Sequence, residues 1–432
     1  MSAAKTIALF PEASFGAALN CVGVAQALRD MGANPVFICH PGFRGVFAEY
    51  GFAEYQLGSD DGADATDWTD FIARHQDAFR QSPYEQLTSY VGPTWDAIVD
   101  TAVKAEEPLR QLLARLKPDA IVLDNVVMFP AIATAGVPWI RIVSCAETEI
   151  ADVSVPPYLS GLGGEPNRSW EEFSSAYAKV TAPAHRRFAS FLGDCGVKAP
   201  PSPSFLDPSP WLNLLLAPEI IRRERKSPLD PDRFVFLDGC VRREVDYAPP
   251  RFASHNDAPL ALVSFGSLGA MDVEMMKRMI DVFAHLPCRF LVNAGPWRDD
   301  YSDVPDNVYV DSWFPQPSVV RQSSLFIHHG GNNSFCEALY FGVPSLVMPY
   351  CWDGHDNARR AEETQVGEKL ARYDWSSQDL SGAILRLIGN EAMQARLKAN
   401  AATMQAHSGA TLAARRILDT ISDTKATRAA RR

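Results

Sequence analysis

The chain has 432 residues, 47% of them hydrophobic, and a formal net charge of −11. That length exceeds what one hydrophobic core usually serves, so two domains are expected. The negative balance argues against a general nucleic-acid binder, and no window of about 18 or more apolar residues offers a transmembrane span.

The opening TIALFP reads as a first strand rather than a secretory signal. A turn, SFG, follows, then a helical stripe of Leu19, Val22, Val24, Ala25 and Leu28 that Gly32 should stop. NPVFICHP is a second strand, and a strand–helix–strand unit of this length implies a parallel pair. LLARLKPDAIVLDN and GVPWIRIVS add a helix and two buried strands. Residues 156–211 are rich in Pro, Gly and Ser and read as an irregular excursion with short helical pieces. FVFLDGC returns to strand, and the proline-rich stretch after it is the linker. The second half repeats the pattern: PLALVSFGS, CRFLVNAG, NVYVDSW, SLFIHHGG and PSLVMPY are strands, and helices fill the gaps. The predicted organisation is an N-terminal domain over 1–240, a linker over 241–258, a second domain over 259–400, and a helix with a basic tail over 401–432. The fold class is α/β, with two Rossmann-like parallel sheets.

Eight cysteines without a CxxC pair read as reduced thiols of a cytoplasmic protein. The run IIRRERK, Ile220 to Lys226, is apolar then basic; it reads as a solvated helix end or as a weak membrane-facing patch.

The chemistry concentrates in IHHGGNNSFCE, residues 327–337. A strand ends at two histidines, Gly330 and Gly331 permit a tight turn, and Asn333 and Ser334 open a helix whose free N–H groups attract anions. Ser334 and Glu337 also have the spacing of a capping box. His329 is the candidate phosphate donor and His328 a structural residue. Upstream, SFGS ends a strand at a glycine turn, where Ser267 offers a hydroxyl. There is no phosphate-binding GxxxxGK(S/T) loop and no clustered metal-ligand spacing, so neither a P-loop ATPase nor a metal centre is expected.

WFPQ from Trp313, the run HHGGNNSFCEALYFGVPSLVMP over 328–349, and DGHDNA from Asp353 together resemble the UDP-glycosyltransferases of the GT-B fold, the group of bacterial macrolide and antibiotic transferases and plant secondary-metabolite transferases. The resemblance implies two facing domains and inverting, metal-independent transfer of a sugar from a nucleotide diphosphate to a small acceptor, without a further cofactor. It implies that Trp313 stacks on the base, Gln316 reaches the base or ribose edge, and Glu337 accepts the ribose hydroxyls. His329, Gly331, Asn333, Ser334 and Ser267 would hold the diphosphate, and Asp353 the sugar. UDP is the commoner nucleotide in such proteins and is expected here, with dTDP as the alternative.

Two departures stand out. Gly354 follows Asp353 where many such proteins have Gln, and Gly16–Ala17 stands where they have Gly–His, the histidine that deprotonates the acceptor. Asp124, at the end of AIVLD, matches the carboxylate that orients the missing histidine, and is the first candidate base. Glu12 and His40, near strand ends in the same domain, are the alternatives, as is an acceptor acidic enough to need little help. The acceptor is expected to be small and largely apolar, bound near the 156–211 excursion with its Trp170, Phe173, Phe188 and Phe191. Two rival functions share the architecture: a nucleotide-sugar epimerase, and a catalytically silent binding partner.

Overall fold

A computed structural model describes residues 4–58, 68–254 and 256–430. The first sheet has seven parallel strands: β1 (Thr6–Pro11), β2 (Asn34–Cys39), β3 (Ala53–Gln56), β4 (Ala120–Asp124), β5 (Trp139–Val143), β6 (Leu212–Leu215) and β7 (Phe234–Phe236), in the order β3-β2-β1-β4-β5-β6-β7. The second has six parallel strands: β8 (Leu260–Ser264), β9 (Arg289–Asn293), β10 (Val308–Asp311), β11 (Leu325–His328), β12 (Ser345–Val347) and β13 (Gly367–Lys369), in the order β10-β9-β8-β11-β12-β13. β4 and β8 are buried along their whole length, as their unbroken apolar runs demand for strands covered on both faces. The order of each sheet reverses once, between β1 and β4 in the first and between β8 and β11 in the second. Ligands of doubly wound sheets bind at the carboxyl ends of the strands at such a point. Pro11 pairs with Asp124 there in the first sheet, and Ser264 with His328 in the second.

The helix Phe15–Asp30 starts at Ser14, whose hydroxyl accepts from the Ala17 amide, and Gly32 beyond its end takes a left-handed φ of +82°. Such a cap contributes about 1 kcal/mol. Chain 240–242 crosses this helix at Gly23, where a Cβ would lie 2.1 Å from the Cys240 carbonyl oxygen. The final helix Gly409–Ala430 returns to the first domain, burying Ala413, Ala414, Ile417 and Ile421 among residues of β1, β2 and the first helix. The preceding helix Glu391–Ala406 packs instead on the helix Asn332–Phe341 of the second domain.

Two expectations are corrected. The 156–211 excursion holds one 27-residue helix, Arg168–Asp194, with Pro183 inside it. Its Trp170, Phe173 and Phe188 are buried, the latter two in the first domain's apolar cluster, and Phe191 packs against that cluster. Three of the four aromatics are therefore core residues, not a pocket lid. The run IIRRERK is likewise turned inward: Ile221 is buried, Arg222 lies over the Phe236 ring, Arg223 pairs with Glu363 and Arg225 with Glu147. The guanidiniums already have partners, which removes the basic face a membrane patch needs.

Candidate active site

In the second domain, β11 delivers two histidines that point apart, as successive strand residues must. His328 is fully buried and its Nδ1 accepts from the Gly330 amide at 3.1 Å, so it shapes the turn. His329 is half-buried beside the Tyr350 ring, and its Nδ1 has no protein partner. Burial, with the Arg372 cation adding to it, pushes His329 down to about 3, so its imidazole is neutral and can donate one N–H. Glycines make room for the ring: a Cβ on Gly331 would sit 2.5 Å from His329 Nε2, and one on Gly266 would lie 3.1 Å from Cε1. Gly330, at φ +90°, presses on the start of the helix Gly354–Glu363, where a Cβ would meet the Gly354 oxygen at 2.7 Å. Ser267 falls in the short helix Gly266–Gly269, but its side chain lies outside the described residues.

The helix Asn332–Phe341 has Gly331 at its N-cap without a side-chain cap bond. Ser334 is therefore its third residue, and the Ser334–Glu337 capping box does not form. Glu337 is 1% exposed and holds three donors: Arg242 Nη1 at 2.8 Å and Asn333 Nδ2 at 3.1 Å on Oε1, and Gln316 Nε2 at 2.7 Å on Oε2. Gln316 also donates to Ser334 Oγ at 3.1 Å. Asn333 thus turns its amide toward Glu337 rather than toward a phosphate. Trp313, between β10 and the helix Gln316–Val320, is 55% exposed, a large aromatic side chain left open to solvent. Arg242 gave no signal in the sequence reading: it sits in the linker, 95 residues before its partner. Arg372 was missed too; it lies over the Phe265 and Tyr350 rings and donates from Nη2 to the Gly269 carbonyl.

Asp353 stands at the N-cap position of its helix but makes no cap bond; its Oδ2 accepts from the Ala146 amide of the first domain at 3.2 Å. Asp356, one turn on, accepts from the Thr148 hydroxyl and from the Leu159 and Gly161 amides. His355 meets Gln86 across the same boundary at 3.0 Å. DGHDNA therefore joins the domains.

In the first domain, Ala17 is buried in the first turn of its helix. Asp124 is 3% exposed; its Oδ1 accepts from the Ser144 hydroxyl at 2.7 Å and its Oδ2 from the Cys21 thiol at 3.7 Å. Burial raises its carboxyl well above the usual range, against the Ser144 bond, and the charges of Glu12 and Glu149 add to the rise. Glu12 is half-buried just past the end of β1, its amide donating to the Asp124 carbonyl at 2.7 Å. Burial, then the charge of Glu149, pushes it up to about 7. His40 packs near the Phe10 ring, and burial pushes it down to about 4. Asp353 is raised to about 8, by burial first and by Asp356 next. Among the described residues, no group of three or more His, Cys, Asp or Glu is placed to hold a metal ion, and no helix is long and apolar enough to cross a membrane.

With the site described, its likeness to known proteins can be stated. The glycotransferase of kitacinnamycin superimposes with a TM-score of 0.71 at 21% identity, over 97% of this chain and all of that one. CalG4, the calicheamicin glycosyltransferase, does so at 0.68 and 19%, over 98% of this chain and 99% of that one. The fold is GT-B. Residues 278–419 match the family model for the C-terminal domain of erythromycin biosynthesis protein CIII-like proteins. UDP-glycosyltransferase UGT4 of Dactylopius coccus is 36% identical over 116 residues, 26% of this chain and 22% of its own length. NDP-glycosyltransferase YjiC of Bacillus subtilis (strain 168) is 27% identical over 191 residues, 43% of this chain and 47% of its own length. The chain spans less than half the length of these curated relatives.

Proposed function

We propose that the protein is an inverting glycosyltransferase that moves a sugar from a nucleoside diphosphate to a small, largely apolar acceptor held in the cleft. The observation that carries this reading is the hydrogen-bonded set of Gln316 with Ser334 and Glu337, the latter two on the helix that follows His329 at the switch point of the second sheet, with the exposed Trp313 just before Gln316 in the chain. An open indole face suits a base, and stacking of that kind contributes about 1–3 kcal/mol per base. The neutral His329 imidazole and the start of the Asn332 helix offer preorganised donors where charge develops on the leaving diphosphate. The likeness to named glycosyltransferases supports the same reading.

Proton removal from the acceptor falls to Glu12 in this mechanism. A base must be unprotonated at working pH yet basic enough to take a proton, and a carboxylate near 7 meets both conditions. Burial raises Asp124 well above its ordinary value, and both its oxygens are engaged by Ser144 and Cys21. It is a scaffold at the switch point rather than the base. His40, near 4, is a weaker base than Glu12.

The test is mass spectrometry of products from a panel of UDP- and dTDP-sugars with small alcohols, phenols and amines. A glycosylated acceptor with inverted anomeric configuration is expected. Conversion of the sugar by donor alone would establish an epimerase instead. Donor binding with no turnover across the panel would establish a silent binding protein.

A further inference from the structure

We propose that Tyr158 and Trp352, one ring from each domain, form the surface that receives an aromatic ring of the acceptor, so that aryl acceptors are preferred to alkyl ones of the same size. The inference deepens the transferase reading above and rests on it. Two strained backbones mark the place. Among the described residues, Lys117, Leu159, Trp352 and Gln365 are the non-glycine residues with positive φ. Lys117 is the C-cap of the helix Gly92–Leu116, and Gln365 follows the C-cap of the helix Gly354–Glu363, where a left-handed residue is ordinary. Leu159, at +68°, and Trp352, at +53°, end no helix. A bulky side chain is strained in that conformation, and such strain persists where the surroundings enforce it, most often at binding and active sites. Bonds across the domain boundary enforce it here. The Leu159 amide donates to Asp356 Oδ2 at 2.8 Å, and Asp353, next to Trp352, accepts from the Ala146 amide at 3.2 Å.

Beside these two backbones the Tyr158 and Trp352 rings meet edge to face, centroids 6.2 Å apart and planes at 82°. Trp95 completes the set, 5.9 Å from Trp352 and stacked on Phe205 at 4.0 Å. Trp95 is 3% exposed and belongs to the first domain's core, whereas Tyr158 and Trp352 are half-buried and keep part of each ring uncovered. Packing alone does not call for Trp at a left-handed position, which glycine takes without cost. Glu149 ties the pair to the chemistry: its charge acts on Glu12, on Tyr158 and on Asp353 alike. The two rings, the base and the carboxyl expected at the sugar therefore surround one side chain. A third aromatic ring joining such a pair gains edge and face contacts beyond its apolar area, whereas a saturated ring gains the area only.

The test compares each aryl alcohol of the acceptor panel with its ring-saturated counterpart, 2-phenylethanol against 2-cyclohexylethanol first, because that pair shares a primary hydroxyl of similar acidity. For the full-length protein kcat/KM is expected to favour the aryl member by about three- to tenfold, the range of an added aromatic contact. Trp352→Leu should abolish that preference while calorimetry shows nucleotide affinity unchanged, and Trp352→Phe should retain it. Tyr158→Leu, in the other domain, should abolish it independently, so that one poorly folded variant does not decide the matter. Equal or better use of the saturated members by the wild-type protein overturns the inference while leaving the transferase reading intact. An aryl preference that survives in both folded leucine variants does so too. If no acceptor of either kind is glycosylated, the transferase reading itself falls, and this inference with it.

Discussion

At the scale of single residues, Glu12 and Asp124 sit on neighbouring strand ends and differ in what surrounds them. Asp124 has two hydrogen-bond donors and almost no exposure, whereas Glu12 is half-buried with Glu149 as its charged neighbour. Two neighbouring strand ends of one sheet therefore hold a carboxyl engaged by two donors and one raised to about 7, which changes charge near neutrality. Glu12→Gln should lower kcat by about a hundredfold or more, the usual contribution of a general base, with nucleotide affinity unchanged. In the wild-type protein kcat/KM should rise with pH through about 7, because only ionised Glu12 accepts the acceptor's proton. That limb should vanish in Glu12→Gln and persist in Asp124→Asn. A pH profile still governed by Asp124 would return the role to that residue. At Trp313 the expectation is simpler: Trp313→Ala should weaken nucleotide binding by about 1–3 kcal/mol without loss of stability, since the side chain is mostly exposed.

At the scale of elements, the strand–turn–helix units were legible because their punctuation is local. Gly32 and Gly342 end helices in left-handed conformation, and apolar runs of strand length became fully buried strands. The long Arg168–Asp194 helix was not legible, since its Pro183 reads as a break until neighbouring helices are seen to pack against it. Nor was the partner of Glu337: local spacing suggested Ser334, but the helix starts at Asn332 and the charge that answers Glu337 comes from the linker. The phosphate-side turn gives a prediction at this scale. Gly330→Ala adds a left-handed strain of about 1–2 kcal/mol to a backbone clash with Gly354. Gly196 has a similar φ of +73° with open space around it, so Gly196→Ala carries the strain alone. Urea midpoints should therefore fall distinctly further for Gly330→Ala, and only that variant should lose nucleotide affinity. Equal losses would mean the turn does not depend on its contact with the Gly354 helix.

Across the whole molecule, the fold buries a set of carboxyls near the strand ends of the first sheet and at the boundary between the domains. Glu12 at about 7, Asp353 at about 8, and Asp124, Glu149 and Asp356 all lie above their ordinary values, each with burial as the first cause. In the unfolded chain such groups ionise near pH 4. Between about pH 7 and 8, where Asp353 keeps its proton in the folded protein, stability falls as pH rises; below about 6.5 His40, His328, His329 and His355, held neutral by burial, act in the opposite sense because the unfolded chain protonates them. The exposed carboxyls Asp30 and Asp379 are instead held below their ordinary values by Arg243 and Ser376, and their contribution is lost only as pH falls through their own low range. With the histidines, these sets put the stability maximum near neutrality, and the loss above it belongs to the buried carboxyls. Asp353 and Asp356 accept the bonds from Ala146, Thr148, Leu159 and Gly161, which favour their ionised form, so the cost of ionising them comes from burial and, at Asp353, from the charge of Asp356. Thermal unfolding between about pH 7 and 9 should show Tm declining with pH as Asp353 ionises. The double variant Glu12→Gln, Asp353→Asn removes two of the titrating groups while keeping similar shapes, and its decline should be shallower. A Tm that is flat or rises over this range would mean these carboxyls are ionised in the folded state, and the case for Glu12 as a base tuned by burial would fall with it.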